Sequence, residues 1–161
     1  VAKRKIPSGL DPKDDRHYTI RGITVVTPNR KEAFAMSGLK ETPVHPHPLK
    51  DKMLLEAGRI LLKKWNPAIL LITLGPQGIL MMSRKGAPCH IPARAREVFD
   101  VSGAGDTVIA TCVLALAAGA EFIEAAELAN YAAGVVVGKL GTATCTPAEL
   151  LNYMAQWSRP A

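Results

Sequence analysis

Two runs, Ile23-Thr24-Val25-Val26-Thr27, β-branched throughout, and the continuous apolar stretch 68–74, restrict this chain more than any other feature. A strand with one wet face alternates strictly between apolar and polar residues, and neither run does so. Each therefore reads as a buried strand of a covered sheet. Pro28 stops the first run, and Asn29-Arg30-Lys31-Glu32 then opens a helix to about Ser37. Asn29 is an acceptable N-cap there, with Glu32 three residues on in a capping-box arrangement. A longer helix is expected over 51–65, where Met53, Leu54, Ala57, Ile60, Leu61 and the stem of Lys64 recur at helical spacing. Lys63 and Lys64 suit the negative end of its dipole.

The remaining elements are shorter or more local. Residues 5–10 form a weak strand, ended by Asp11-Pro12-Lys13, and the basic start of the chain resembles the end of a helix, as if something upstream were missing. Residues 38–49 make a polar, proline-rich loop. It contains His45-Pro46-His47-Pro48, but no nearby Cys or acidic partner completes a metal set, which favours a surface loop. After the strand 68–74 come Gly75-Pro76-Gln77-Gly78 and a third strand over 79–82, with a further short strand at 89–92. The two glycines either permit a tight turn or, beside Thr73, present bare N–H groups to a phosphate. Helices are expected over 121–139 and 147–157, the latter capped by Thr146, and their alanines allow close packing.

The stretch Asp100-Val101-Ser102-Gly103-Ala104-Gly105-Asp106-Thr107 leads into an almost wholly apolar run, 108–118, and reads as a loop tipping into a helix N-terminus. Gly103 and Gly105 let the backbone turn sharply, and the helix adds unpaired donors and the positive end of its dipole, which together suit a phosphate. Asp106 has two readings. It is either a first-turn acid that complements the dipole or a base that takes a proton from a hydroxyl while the turn cradles the phosphoryl group under attack.

Composition excludes several classes. With 161 residues the chain suits one domain, and no apolar run is long enough for a membrane span. The basic first residues are not followed by an apolar stretch, so no signal peptide is expected and the cytoplasm is the default. Cys89, Cys112 and Cys145 form no C-x-x-C pair and read as packing residues. The net charge of +6 is spread along the chain and aromatics are 5%, which argues against nucleic acid and for some preference for phosphorylated ligands.

Four motifs then occur in order: Asp11-Pro12-Lys13, the N-x-x-E set from Asn29 to Glu32, Thr73-Leu74-Gly75-Pro76-Gln77-Gly78, and the signature from Asp100 to Asp106. Together they resemble the ribokinase-like (PfkB) family of carbohydrate kinases over nearly the whole chain. The resemblance implies an α/β fold, the C-terminal half of a three-layer α/β/α architecture with a mainly parallel central sheet. Residues 1–161 would then be a single partial domain, the sugar-binding and lid half being absent. Within the family, Thr27-Pro28-Asn29, the run 101–111 and the segment 132–144 resemble the kinases of heptose 7-phosphate in lipopolysaccharide core synthesis. That branch implies ATP-dependent transfer to the anomeric hydroxyl of a phosphorylated sugar, on the route to ADP-heptose.

By the same resemblance Asp106 is the base, and Gly103, Ala104 and Gly105 supply N–H groups to the transferring phosphoryl. Asn29 and Glu32 organise Mg²⁺ through water, Thr73, Gly75 and Gly78 line the nucleotide, and Asn130 lies near the adenine. Asp100, Ser102 and Gly141 are implied for a monovalent cation such as K⁺. A homo-oligomer is implied for the full-length protein. The weak strand before Asp11 departs from the family pattern. Two other readings compete: a dinucleotide fingerprint beginning at Gly103, which fails at Val108, and a module that senses nucleotide without turnover, against which the retained Asp106 argues.

Overall fold

The computed structural model of the chain describes residues 6–13, 22–95 and 97–157. The basic segment 1–5, including the start of the expected first strand, lies outside the described residues. Five strands form one sheet in chain order: β1 (Gly9–Leu10), β2 (Val25–Val26), β3 (Ile69–Thr73), β4 (Ile79–Ser83) and β5 (Cys89–Ile91). Five α-helices accompany them: α1 (Arg30–Ser37), α2 (Lys52–Trp65), α3 (Ala104–Ala117), α4 (Phe122–Val137) and α5 (Pro147–Trp157).

The absence of alternation in β3 has a direct structural counterpart. Leu70 and Ile72 face one core with Val26, Leu80 and Met82, covered by Phe34 of α1 and Leu54, Leu61 and Trp65 of α2. Ile69 and Leu71 face the other with Val25, Ile79 and Ile91, covered by Val108, Cys112 and Ala115 of α3 and Ala125, Ala126 and Ala129 of α4. The result is the expected three layers. On the second face the covering side chains are mostly small, so α3 and α4 lie close to each other and to the sheet. Cys112 is fully buried among them, and burial pushes its thiol up to about 11, so it acts as a small apolar residue.

The sheet is mixed. β1, β2 and β3 run parallel, with Val25 opposite Ile69 and Val26 opposite Leu70. β4 and β5 are antiparallel to their neighbours, since only five residues, Leu74 to Gly78, join β3 to β4 and so short a link cannot carry a crossover. β2 is shorter than the run 23–27, yet bonds from Thr24 N–H to the Ser8 carbonyl (3.0 Å) and from Thr27 N–H to the Leu10 carbonyl (3.0 Å) keep its flanks aligned. Helix α3 begins at Ala104, earlier than its apolar run, and so takes Gly105 and Asp106 into its first turn. Among the described residues no helix is long and apolar enough to cross a membrane.

Candidate active site

Because β1, β2 and β3 are parallel, their C-terminal ends emerge on one side of the sheet, where ligands of open α/β sheets bind. A cleft of about 490 Å³ opens there. The end of β1 contributes Asp11 and Lys13, the end of β2 Thr27 and Asn29, the first turn of α1 Glu32, and the end of β3 Thr73, Gly75 and Gly78. The start of α3 adds Gly103, Ala104, Gly105 and Asp106, and α4 adds Asn130. Ten of the site residues expected from the sequence thus share one cavity. Its other walls are mostly apolar, with Val98, Val101, Ala133 and Val137 among them, and Arg94 is a second basic residue of the lining besides Lys13.

The signature turn is held at both ends. The N–H groups of Phe99 (2.8 Å) and Asp100 (3.3 Å) donate to the Val137 carbonyl at the end of α4. Asp100 then accepts from Ser102 N–H at 2.8 Å and from Gly141 N–H at 3.2 Å. These bonds, that from Ser102 foremost, hold its carboxyl below the usual carboxylate range. Asp100, Ser102 and Gly141 are therefore neighbours, and none of them lines the cleft.

Gly103 caps α3 at φ +79°, a conformation that favours glycine, and no side chain satisfies the helix's first N–H groups. Among the described residues the N–H groups of Gly103, Gly105 and Asp106 donate to no protein acceptor. The Ala104 N–H, by contrast, already donates to the Val101 carbonyl at 3.2 Å. The open donors are thus Gly103, Gly105 and Asp106, and Ala104 contributes position more than a bond. A Cβ built on Gly105 or on Gly75 would meet no protein atom within 4 Å, so both glycines face space that a ligand can fill.

Across the cleft, Asn29 and Glu32 form a complete capping box on α1. Asn29 Oδ1 accepts from Glu32 N–H at 2.9 Å, and Glu32 Oε2 accepts from Asn29 N–H at 2.7 Å. The capping role does not remove Glu32 from the cleft, which it lines, with Oε1 3.8 Å from Lys13 Nζ. Lys13 Nζ also lies 2.7 Å from Asp11 Oδ2. Its pKa is raised, first by that bond with Asp11 and further by the charges of Asp11, Glu32 and Asp106. Asp11 and Lys13 belong to the cleft, which their motif signalled without assigning them a role. Asn130 is 5% exposed and its Nδ2 donates to the Pro92 carbonyl at 2.7 Å, so it ties α4 to the segment after β5 as well as lining the cavity.

Glu32, a single carboxylate on the cleft wall, suits a hydrated Mg²⁺. Among the described residues no group of three or more His, Cys, Asp or Glu side chains could hold an ion. Mg²⁺ needs no such cage, since it keeps several waters and takes one or two carboxylates plus substrate phosphates.

Residues 3–149 match the family described as pfkB family carbohydrate kinase. The chain belongs to the pfkB family of carbohydrate kinases. Similar curated proteins include the Bifunctional protein HldE of Geobacter sulfurreducens, 48% identical over 152 residues, a match covering 94% of this chain and 30% of that protein. The protein of the same name from Photorhabdus laumondii is 47% identical over 148 residues, covering 92% and 30%. The pfkB chain thus spans about a third of the length of these relatives. Among solved structures, Arabidopsis thaliana ribokinase complexed with ribose and ATP matches with a TM-score of 0.77 at 22% identity, over 95% of this chain and 49% of that one. Phosphofructokinase-2 of Escherichia coli in complex with potassium matches with a TM-score of 0.71 at 23% identity, over 85% and 42%. These two likenesses establish the ribokinase-like fold of the pfkB chain.

Proposed function

We propose that this pfkB chain is the nucleotide-binding and base-bearing part of a kinase that phosphorylates the anomeric hydroxyl of heptose 7-phosphate, using ATP. Residues 1–161 are read as a single partial domain of that enzyme. The observation that carries the reading is the start of α3, where an acid and a set of open N–H donors stand together in the cleft that also holds Lys13 and Glu32. The sugar follows from the likeness to proteins named HldE and from the segments quoted above.

Phosphoryl transfer chiefly requires positioning and charge neutralisation. The Asp106 carboxylate takes the proton of the sugar hydroxyl as its oxygen attacks the γ-phosphorus, and the bond to the ADP oxygen breaks. The N–H groups of Gly103, Gly105 and Asp106, with the dipole of α3 behind them, stabilise the charge on the transferring oxygens. Lys13 adds a cation on the opposite wall, held toward the cleft by Asp11 and Glu32. Thr73, Gly75 and Gly78 border the nucleotide, and the apolar wall from Val98 to Val137 suits a base. Mg²⁺, held through water by Glu32 and Asn29, would supply further neutralisation of the phosphates. Asp100, Ser102 and Gly141 would hold a monovalent cation beside the turn. We also read the full-length protein as a cytoplasmic homo-oligomer, the assembly supported by a likeness to a kinase described as tetrameric.

Asp106→Asn in the complete polypeptide that carries these residues tests the assignment. Loss of a general base should lower turnover by roughly 10²–10⁴-fold while ATP affinity holds or rises. Turnover near that of the wild type, from a normally folded variant, would reduce Asp106 to a helix-dipole acid.

A further inference from the structure

The turn from Gly75 to Gly78 is the wall of the cleft with the least definition of its own. It is a single turn of 3-10 helix with glycines at both ends, at φ +57° and +90°. Its internal bonds, Gly78 N–H to the Gly75 carbonyl at 2.9 Å and Leu74 N–H to the Gly78 carbonyl at 2.8 Å, close the loop without fixing its tilt against the rest of the molecule. Beyond the packing of β5 against Gly78, the hydrogen bonds that reach the turn from outside run through Gln77. The Gln77 side chain reaches the proline-rich loop more than thirty residues earlier, where its Nε2 donates to the His45 carbonyl at 2.9 Å and to the Pro46 carbonyl at 3.3 Å. The Gln77 main-chain carbonyl receives a bond of 2.6 Å from Nε2 of His90 on β5, which must carry the proton, since a carbonyl only accepts. One residue of the turn is thus gripped from two sides, by its side chain and by its backbone.

Neither grip involves a group that lines the cleft, and the loop and β5 have no other part in the site. We propose that Gln77 and His90 are positioning residues for the nucleotide: together they hold the Gly75–Gly78 turn at the angle that presents its backbone to the ligand. This inference rests on the nucleotide reading of the cleft. It also gives the 38–49 loop a role that its histidines, as a candidate metal pair, did not have. The loop is an abutment for the turn.

The test uses the complete polypeptide and calorimetry with Mg-ADP, with circular dichroism and thermal melting on every variant. Gln77→Ala removes the side-chain grip, and Gln77→Lys restores an N–H donor of sufficient reach. His90→Phe removes the backbone grip, and His90→Gln restores a donor. Each neutral bond of this kind contributes about 0.5–1.5 kcal/mol, so Gln77→Ala and His90→Phe are each expected to weaken Mg-ADP roughly 3- to 10-fold. Gln77→Lys and His90→Gln should recover most of that loss, and KM for the sugar should stay within about twofold throughout. Unchanged Mg-ADP affinity in Gln77→Ala and His90→Phe, with wild type binding normally, would overturn the proposal. So would a loss that tracks the fall in melting temperature and is not recovered by the donor-bearing variants, because the grip would then serve folding alone. Absence of Mg-ADP binding by the wild type itself would instead remove the nucleotide reading, and the proposal with it.

Discussion

Gly75 and Gly78 both stand at positive φ, yet they answer to different demands. At Gly75 the surrounding space is open, so an added methyl group meets only the intrinsic cost of the left-handed backbone. That cost is about 1–2 kcal/mol. At Gly78 a Cβ would collide with the Ile91 carbonyl oxygen and press on the main chain of Pro92 and Ala93, because β5 passes directly over the turn. Backbone cannot move aside as a flexible side chain can. Gly75→Ala is therefore expected to melt slightly below the wild type and to lose nucleotide affinity by crowding the cleft. Gly78→Ala should cost more, at least about 3 kcal/mol, and separate β5 from the hairpin. Urea unfolding of the two variants checks the order, and equal midpoints would contradict the close approach of β5. Gly78 is thus fixed by folding, whereas the space beside Gly75 is that of the cleft.

Among the elements, α5 depends most visibly on charge. Glu149 in its first turn accepts from Thr146 N–H and Oγ1, both at 2.8 Å, and from Lys139 Nζ at 2.6 Å. The Lys139 bond first, and then those from Thr146, lower its carboxyl from 4.5 to about 2. A depressed carboxylate stabilises the fold fully above its ordinary value, and the contribution is lost as pH falls from about 4.5 toward 2. Glu149→Gln should therefore lower the melting temperature at pH 6 and make little difference near pH 2, which melting curves across that range would show. An undiminished effect at pH 2 would mean that shape, not charge, docks the helix. This cap was legible in part, since Thr146 announced itself as an N-cap while Lys139 lay too far away in sequence to be read as its partner. The same division runs through the molecule. The capping box of Asn29 and Glu32, the doubly buried β3 and the first turn of α3 are written in adjacent residues, so local chemistry specified them. The antiparallel course of β4 followed from a link too short for a crossover. The meeting of Lys13 with Glu32, of Gln77 with His45, and of Asn130 with Pro92 depends on how distant segments come together. No spacing rule records such meetings, which is why Asp11 and Lys13 could be seen as a motif but not as one wall of the cleft.

At the scale of the whole molecule, the two hydrophobic cores lie on opposite faces of one sheet and share no helix. The cleft is where they can be joined by something other than the sheet, because its walls come from the ends of β1, β2 and β3, from the start of α1, and from α3 and α4. A ligand that touches all of these can form only when both covering layers are in place, so it must bind the folded state in preference to the unfolded one. At a hundredfold excess over its dissociation constant such a ligand adds about 2.7 kcal/mol. For a folding unit of this size that corresponds to a rise in melting temperature of roughly 5–10 °C. Because the open N–H donors at Gly103, Gly105 and Asp106 and the cation of Lys13 seek phosphate, the rise should be marked with Mg-ADP and small with adenosine at the same concentration. Asp106→Asn should keep the Mg-ADP rise or enlarge it, since the change removes a negative charge from the phosphate end of the cleft and leaves the donors in place. Equal shifts with adenosine and Mg-ADP would mean that the apolar wall does the binding and that the start of α3 is not a phosphate site. A shift abolished by Asp106→Asn would show that the carboxylate holds the nucleotide through its metal, and a separate residue would then have to take the proton from the sugar.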